Sequence, residues 1–329
     1  MITRSFPADT FDGARESIEF SVQGDLVRGT LYVPAGHSAP LPAVVMGHGW
    51  SMVTGGDLED YAAIVASRGL AVLTFDFRNL GLSEGQPRQE IDPARQIEDF
   101  RCAISFARSR PEIDRDRIGV WGSSYSGGHA LVVAAVDRRV KCVVAQVPTI
   151  SGYEAGLRRS PYEKAALLQE RLEADREARF AGAPPQTIQT VSADPDAPVA
   201  YPQRDSYEYM TSEAARCPSW RNEITLRSIE LARQYEPGTF VRRIGTTPLL
   251  MIVADADGLT PTDLQLDAFN AAHPPKDLLL VPGGHYSVYT DHFEQTSTAA
   301  ADWFLQHLAP TRHRPEPLSA KDSTHDSHR

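Results

Sequence analysis

Residues 118–131 read IGVWGSSYSGGHAL. An apolar run, Ile118–Trp121, closes on Gly122, and a stretch of small residues suited to a helix opens near Ser126. A strand that passes directly into a helix must turn sharply, and the residue at that turn is held in a strained conformation. The turn needs small residues two before and two after it. Ser124 has Gly122 and Ser126 in those places. Ser123 would have Trp121 and Tyr125, which is sterically poor, and Ser126 sits too far past the strand. The pattern is G-x-S-x-S where G-x-S-x-G is usual, a mild departure because serine is nearly as small as glycine. Ser124 is therefore the expected nucleophile. The helix behind it presents free N–H groups and a partial positive charge, suited to a developing oxyanion.

A serine hydroxyl needs a base, and the base needs an orienting carboxylate. On a strand–turn–helix nucleophile the chain order is serine, acid, histidine, each on a loop after a strand. Downstream, the apolar run Leu249–Val253 leads into ADADGLTP, and Leu278–Val281 leads into PGGHYSVY. His285 sits just past the second run on a Gly-Gly loop. His129 falls on the helix after the nucleophile, His273 ends a helix, His292 begins one, and the remaining downstream histidines are terminal. The acid is Asp257 or Asp255. Asp257, farther into its loop, reaches more easily toward a neighbouring histidine loop, whereas Asp255 reads as a turn former. Two backbone donors complete the set: the N–H of Tyr125 after the nucleophile, and that of Trp50 in VVMGHGWSM (44–52).

Farther out the chain alternates. Strands are expected at Ala43–Met46, Ala71–Phe75, Ile118–Trp121, Cys142–Ala145, Leu249–Val253 and Leu278–Val281, behind a hairpin of Glu16–Val22 and Leu26–Val33 around Gln23-Gly24-Asp25. Helices are expected at Leu58–Ser67, Ala94–Arg108, Gly128–Val136, Thr262–Ala271 and Phe293–Leu308. In the second of these, Ile97, Phe100, Ile104 and Ala107 share one face. Continuous apolar strands separated by helices indicate a largely parallel sheet covered on both sides. The rhythm breaks between 151 and 245, so 1–150 with 246–309 read as a core and 151–245 as a mainly helical cap. Within it Arg158–Arg179 and Asn222–Tyr235 read as helices, the first with a thin apolar stripe at Leu168 and Leu172, and Ala183–Pro202 as a loop. Its Tyr153, Tyr207, Tyr209, Met210 and Trp220, together with Tyr286 beside His285, are candidate pocket residues. The tail from 310 to 329 has no core-forming residues and reads as disordered.

The formal net charge of -10 argues against nucleic acid or an anionic membrane as the main partner. No apolar run is long enough to span a bilayer, and the first residues lack a signal-peptide core, so the cytoplasm is the expected compartment. Cys102, Cys142 and Cys217 form no C-x-x-C pair and read as incidental thiols. Gly47-x-Gly49 lacks the third glycine of a dinucleotide fingerprint, Met52 standing in its place, and neither a G-x-x-x-x-G-K-[ST] loop nor an H-E-x-x-H pair occurs. No cofactor or metal is expected.

With HGWS (48–51), FDFRNLGLSEG (75–85), GVWGSSYSGG (119–128), VADADGLTP (253–261) and PGGHYSVY (282–289) in hand, the chain resembles the α/β-hydrolase superfamily over nearly its whole length. Within it the nearest resemblance is to dienelactone-hydrolase and CocE/X-Pro-peptidase-like esterases and to polyketide transferase-like hydrolases. The resemblance implies the α/β-hydrolase fold with an eight-stranded sheet, a Ser124–Asp257–His285 triad and no cofactor. It also implies that Asp76 and Arg78 brace the loop beside the active edge. The expected activity is hydrolysis of carboxylic esters or lactones of a neutral, fairly apolar small molecule. An acyltransferase or thioesterase, a peptidase or amidase, and a non-catalytic binding protein are the competing readings. The sequence leaves the oligomeric state open, a homodimer included.

Overall fold

The computed structural model describes residues 7–37, 40–159 and 162–309; the expected disordered tail lies outside them. A short helix α1 (Pro7–Thr10) precedes the hairpin β1 (Gly13–Val22) and β2 (Asp25–Pro34). Then follow β3 (Leu41–Gly47), α2 (Gly56–Ser67), β4 (Ala71–Phe75), α3 (Pro93–Ser109), β5 (Ile113–Ser123), α4 (Tyr125–Val136) and β6 (Val140–Gln146). The stretch 151–245 carries α5 (Gly152–Arg159), α6 (Tyr162–Phe180), the two-residue ribbons β7 (Thr187–Ile188) and β8 (Ile224–Thr225), α7 (Arg204–Ala214) and α8 (Leu226–Ala232). The chain returns to the sheet through β9 (Leu249–Ala254), α9 (Thr262–Ala271), β10 (Lys276–Val281) and α10 (Phe293–His307).

Eight strands form one sheet in the order β1-β2-β4-β3-β5-β6-β9-β10. Only the pairings of β2 with β1 and with β4 are antiparallel; from β4 to β10 every neighbour is parallel. Covered on both faces, β4 and β9 are buried at every position and apolar at all but Thr74. Alternate residues serve opposite layers. Ala43 and Val45 of β3 join Phe100, Ile104 and Ala107 of α3 and Leu131 of α4 in one layer. Val44 and Met46 join Tyr61 and Val65 of α2 and Phe304 of α10 in the other.

The expected strands and helices stand within a few residues of their places, and two of them, Ala71–Phe75 and Thr262–Ala271, share both ends with the observed elements. The stretch 151–245 differs more. Of the helix expected over Arg158–Arg179, Arg158 and Arg159 belong to α5 and Tyr162 onward to α6, and residues 160 and 161 lie outside the described residues. The helix expected over Asn222–Tyr235 shrinks to α8, because Ile224–Thr225 pairs with β7 and the Thr225 side chain caps the helix from Ser228 N–H. Helix α7 had no sequence signal beyond scattered tyrosines, since only a narrow face of it is buried.

The run FDFRNLGLSEG braces the loops beside the sheet's C-terminal edge. Asp76 accepts the N–H groups of Thr54 (2.6 Å) and Leu82 (2.7 Å). Arg78 is ion-paired to Asp99 of α3 at 2.5 Å, with the two side chains 1% and 0% exposed. Burial pushes the Asp99 carboxyl up to about 6 against the pull of that guanidinium. Arg78→Met would leave the carboxyl buried without its cation. We expect a loss of about 3–5 kcal/mol in urea unfolding, whereas breaking an exposed pair such as Arg204–Glu208 should leave the unfolding midpoint nearly unchanged.

Candidate active site

The turn between β5 and α4 holds Ser124 at φ 56°, ψ −115°. A left-handed φ on a residue with a side chain is strained, and here close contacts enforce it. A Cβ on Gly122 would lie 2.0 Å from the Ser126 carbonyl oxygen, so only glycine fits there. Ser126 uses the hydroxyl that a glycine would lack: it donates to the Gly47 carbonyl at 2.5 Å and accepts from the Ser123 N–H at 3.1 Å. Strand β6 holds the other side, with Ser124 N–H donating to Gln146 O (2.8 Å) and Thr149 N–H to Ser124 O (2.9 Å).

His285 follows β10 in a 3₁₀ turn, His285–Val288, and is buried. Its Nε2 lies 3.0 Å from Ser124 Oγ, and its Nδ1 lies 2.8 Å from Asp257 Oδ2. A carboxylate can only accept, so Nδ1 carries the proton and Nε2 turns its lone pair to the serine. Asp257 is surrounded by donors: the N–H groups of Leu259 (2.8 Å) and Thr260 (2.9 Å) on Oδ1, and the Thr260 hydroxyl (2.7 Å) on Oδ2. Burial alone would raise the Asp257 carboxyl. The facing His285 and the hydrogen bonds from His285 and Thr260 outweigh burial and hold it below the usual carboxylate range. Asp255 instead points to the surface and accepts the Gly283 N–H at 2.9 Å, a loop-bracing contact.

Gly49 packs against the serine, and a Cβ there would sit 3.3 Å from Ser124 Cβ. The next residue is Trp50, whose ring meets that of Tyr125 edge-on at 4.8 Å. Neither the Trp50 nor the Tyr125 N–H donates to an acceptor among the described residues. Both therefore stand available beside the serine. His129 is a packing histidine: it lies between Tyr235 OH (2.8 Å) and Gln96 Oε1 (2.9 Å), and burial pushes it down to about 3.

A cavity of about 480 Å³ opens over Ser124 and His285. Of the expected pocket residues, Tyr209, Met210 and Tyr286 line it, and Tyr209 stacks on Tyr286 at 4.4 Å. Tyr153, Tyr207 and Trp220 do not. Tyr153 is on the outer face of α5, half-exposed, because Gly152 beside it turns inward against the Ala232 carbonyl. Tyr207 lies nearly a turn before Met210 in α7, and Trp220 lies past the helix end; both pack against the core instead. The sequence reading missed Tyr201, Leu259 and Tyr289, which line the cavity, and Thr260 and Gln265 behind the acid. Thr260 had a signal, as the hydroxyl residue three after the acid in ADGLT.

This sheet order, with serine, acid and histidine on loops after β5, β9 and β10, is the α/β-hydrolase fold. The chain belongs to the X-Pro dipeptidyl-peptidase (S15) family, whose model matches residues 23–287. It is 35% identical over 277 residues to thiohydrolase aneE of Aspergillus aculeatus, 82% of this chain and 85% of that protein. It is 32% identical over 289 residues to quorum-quenching protein AidA of Acinetobacter baumannii, covering 86% and 91%. The structure of DcsB with its substrate analogue superposes with a TM-score of 0.80 at 26% identity, covering 90% of this chain and 100% of that one. GrgF from Penicillium superposes at 0.78 with 27% identity, covering 90% and 100%. By family, then, the chain is an enzyme of hydrolase or acyltransferase type. No helix among the described residues is long and apolar enough to cross a membrane.

A further carboxyl lines the cavity. Asp57 Oδ2 accepts the Tyr209 hydroxyl at 2.6 Å, and Asp57 N–H donates to Glu213 at 2.9 Å, hooking α7 onto α2. Burial, reinforced by the Glu213 carboxylate, pushes Asp57 up to about 7 despite the Tyr209 bond. An unfolded aspartate titrates near about 3.9. Between those values the folded state keeps a proton that the unfolded chain has released, so this residue's contribution to stability falls as pH rises. Asp57→Asn removes the titration. We expect the variant to gain stability relative to the wild type from about pH 4 to about pH 7, with the difference levelling above; urea unfolding across that range measures it.

Proposed function

We propose that Ser124, His285 and Asp257 act as a catalytic triad that hydrolyses carboxylic esters or thioesters of a largely apolar acyl group. The observation that carries this reading is the unbroken chain from Ser124 Oγ to His285 Nε2 (3.0 Å) and from His285 Nδ1 to Asp257 (2.8 Å) at the floor of a cavity. Ser124 Oγ bonds to the substrate carbonyl carbon while His285 takes its proton. The oxyanion lies against the Trp50 and Tyr125 N–H groups. When the tetrahedral species collapses, the bond to the leaving group breaks and His285 returns the proton to it. Water, deprotonated by His285, then releases the acid from the acyl-serine. Asp257 keeps the imidazole in its tautomer and stabilises the imidazolium.

The stretch 151–245 acts in this reading as a cap that supplies Tyr201, Tyr209 and Met210 to the cavity wall. The wall is mostly aromatic and apolar, with Asp57, His48 and Ser123 its polar residues besides the triad, which suits an apolar substrate. Transfer of the acyl group to an alcohol in place of water is the second reading. It is favoured by the similarity to polyketide transferase claH of Penicillium crustosum, 27% identical over 302 residues.

A fluorophosphonate should label the peptide carrying Ser124 and no other serine, as read by mass spectrometry. Ser124→Ala should lower kcat on p-nitrophenyl esters by about 10⁶, and Asp257→Asn by about 10⁴. Retention of most turnover in Ser124→Ala would remove the assignment. Alcohol acceptors added to the same assay separate transfer from hydrolysis by their products.

A further inference from the structure

Behind the wall formed by Trp50, Tyr201 and Leu259 lies a second cavity. Those three residues line both spaces. Tyr125, Thr149 and Gly152 line the second together with the apolar Ala155, Leu168, Val199, Ala200, Ile229 and Ala232. Arg159 and Arg233 also line it, and among the described residues no aspartate or glutamate does.

The two arginines differ from several arginines near them. Their neighbours are paired with acids: Arg158 with Asp263 at 2.7 Å, Arg179 with Asp175 at 2.7 Å, and Arg176 with Glu230. Arg159 and Arg233 have no carboxylate partner among the described residues. Arg159 lies over the Tyr201 ring at 4.9 Å, and Arg233 reaches only the Gln169 side-chain oxygen at 3.4 Å. Burial, and after it the proximity of Arg159, pulls the Arg233 guanidinium down from its usual value. Two cations held together without a carboxylate partner among the described residues leave an electrostatic vacancy. Deeper in, the Tyr125 hydroxyl and the Trp50 Nε1 are buried with no hydrogen-bond partner, on side chains 4% and 5% exposed. An apolar chamber whose polar groups are two guanidiniums and two unused donors fits a ligand that is a chain ending in an oxyanion.

The placement also says which part of the substrate enters. His285 lines the first cavity and not the second; Tyr125 lines the second and not the first. The leaving group must lie where His285 can protonate it, so it occupies the first cavity, and the acyl chain extends past Tyr125 into the second. We propose that the Arg159–Arg233 chamber is an acyl subsite that selects acyl groups ending in a carboxylate. This rests on the reading of Ser124 and His285 as the reacting pair.

The test compares p-nitrophenyl hexanoate with mono-p-nitrophenyl adipate, which differ in the terminal carboxylate. The wild type should favour the adipate ester. Arg159→Gln/Arg233→Gln should lose about 10- to 100-fold in kcat/KM on adipate and leave hexanoate essentially unchanged, so that the neutral ester reports on folding. Arg159→Glu/Arg233→Glu should turn the preference toward the 6-(trimethylammonio)hexanoate ester. An anion could also ride on the leaving group, so hexanoyl-phosphopantetheine is compared with hexanoyl-N-acetylcysteamine. If the arginine variants slow the phosphate-bearing thioester and spare the adipate ester, the acyl-side assignment is overturned. An unchanged adipate-to-hexanoate ratio in the variants overturns the subsite itself while the Ser124 reading stands. Absence of turnover on every ester by the wild type overturns both.

Discussion

The backbone of Ser124 is the constraint on which the site depends. A residue kept in a sparsely populated φ/ψ region costs about 1–3 kcal/mol and persists only where its surroundings over-determine it. Here three strands supply that determination. Gly47 at the end of β3 receives the Ser126 hydroxyl, Gln146 at the end of β6 receives the Ser124 N–H, and Gly122 of β5 lets α4 close onto its own strand. Each hydrogen bond contributes on the order of 1 kcal/mol, enough together to offset the strain. Adjacent parallel strands are what bring these anchors to one edge, which is why β3, β5 and β6 sit side by side at the centre of the sheet.

The same arrangement explains why this part of the molecule was legible in the sequence. A parallel sheet buried on both faces demands unbroken apolar strands, so β4 and β9 read as AVLTF and LLMIVA with no polar interruption except Thr74. A strained turn demands glycine or serine at defined offsets. A catalytic loop demands a polar residue just past an apolar run. These rules single out Ser124, Asp257 and His285, which the fold brings together, and they prefer Asp257 over Asp255, which the geometry places on the surface.

The stretch 151–245 obeys weaker rules. Its helices lie on the sheet's edge and bury one narrow face each, so polar residues dominate and periodicity fades; α7 buries only Ser206, Met210 and Glu213. Which tyrosine meets the cavity depends on how α5 and α7 rotate, and small residues decide that rotation. Gly152 packs against the Ala232 carbonyl and sends Tyr153 outward, while the Asp57–Tyr209 bond pulls Tyr209 in. Neither contact leaves a local sequence pattern. Tyr201 and Leu259 were invisible for the same reason: each is an isolated apolar residue in a polar loop, placed by partners far away in the chain.

Net charge misleads in a related way. A formal charge of -10 governs the long-range field, which at physiological salt is screened within about 8 Å. It repels an anionic substrate during approach and says little about a chamber whose nearest charges are Arg159 and Arg233. Their acidic neighbours are already committed to other arginines, so the negative surplus of the chain does not neutralise them. Asp57 lies against the first cavity, and Glu213 accepts its N–H. The acidic group thus lines the cavity that holds Ser124, and the basic pair lines the cavity beside it. A carboxylate placed beside Asp57 would face a second acid in a buried site, whereas the same group beside the arginines exchanges water for two charge-assisted donors. The polarity of the cavity therefore orients an acyl chain by its charged end, independently of the apolar contacts that hold its length.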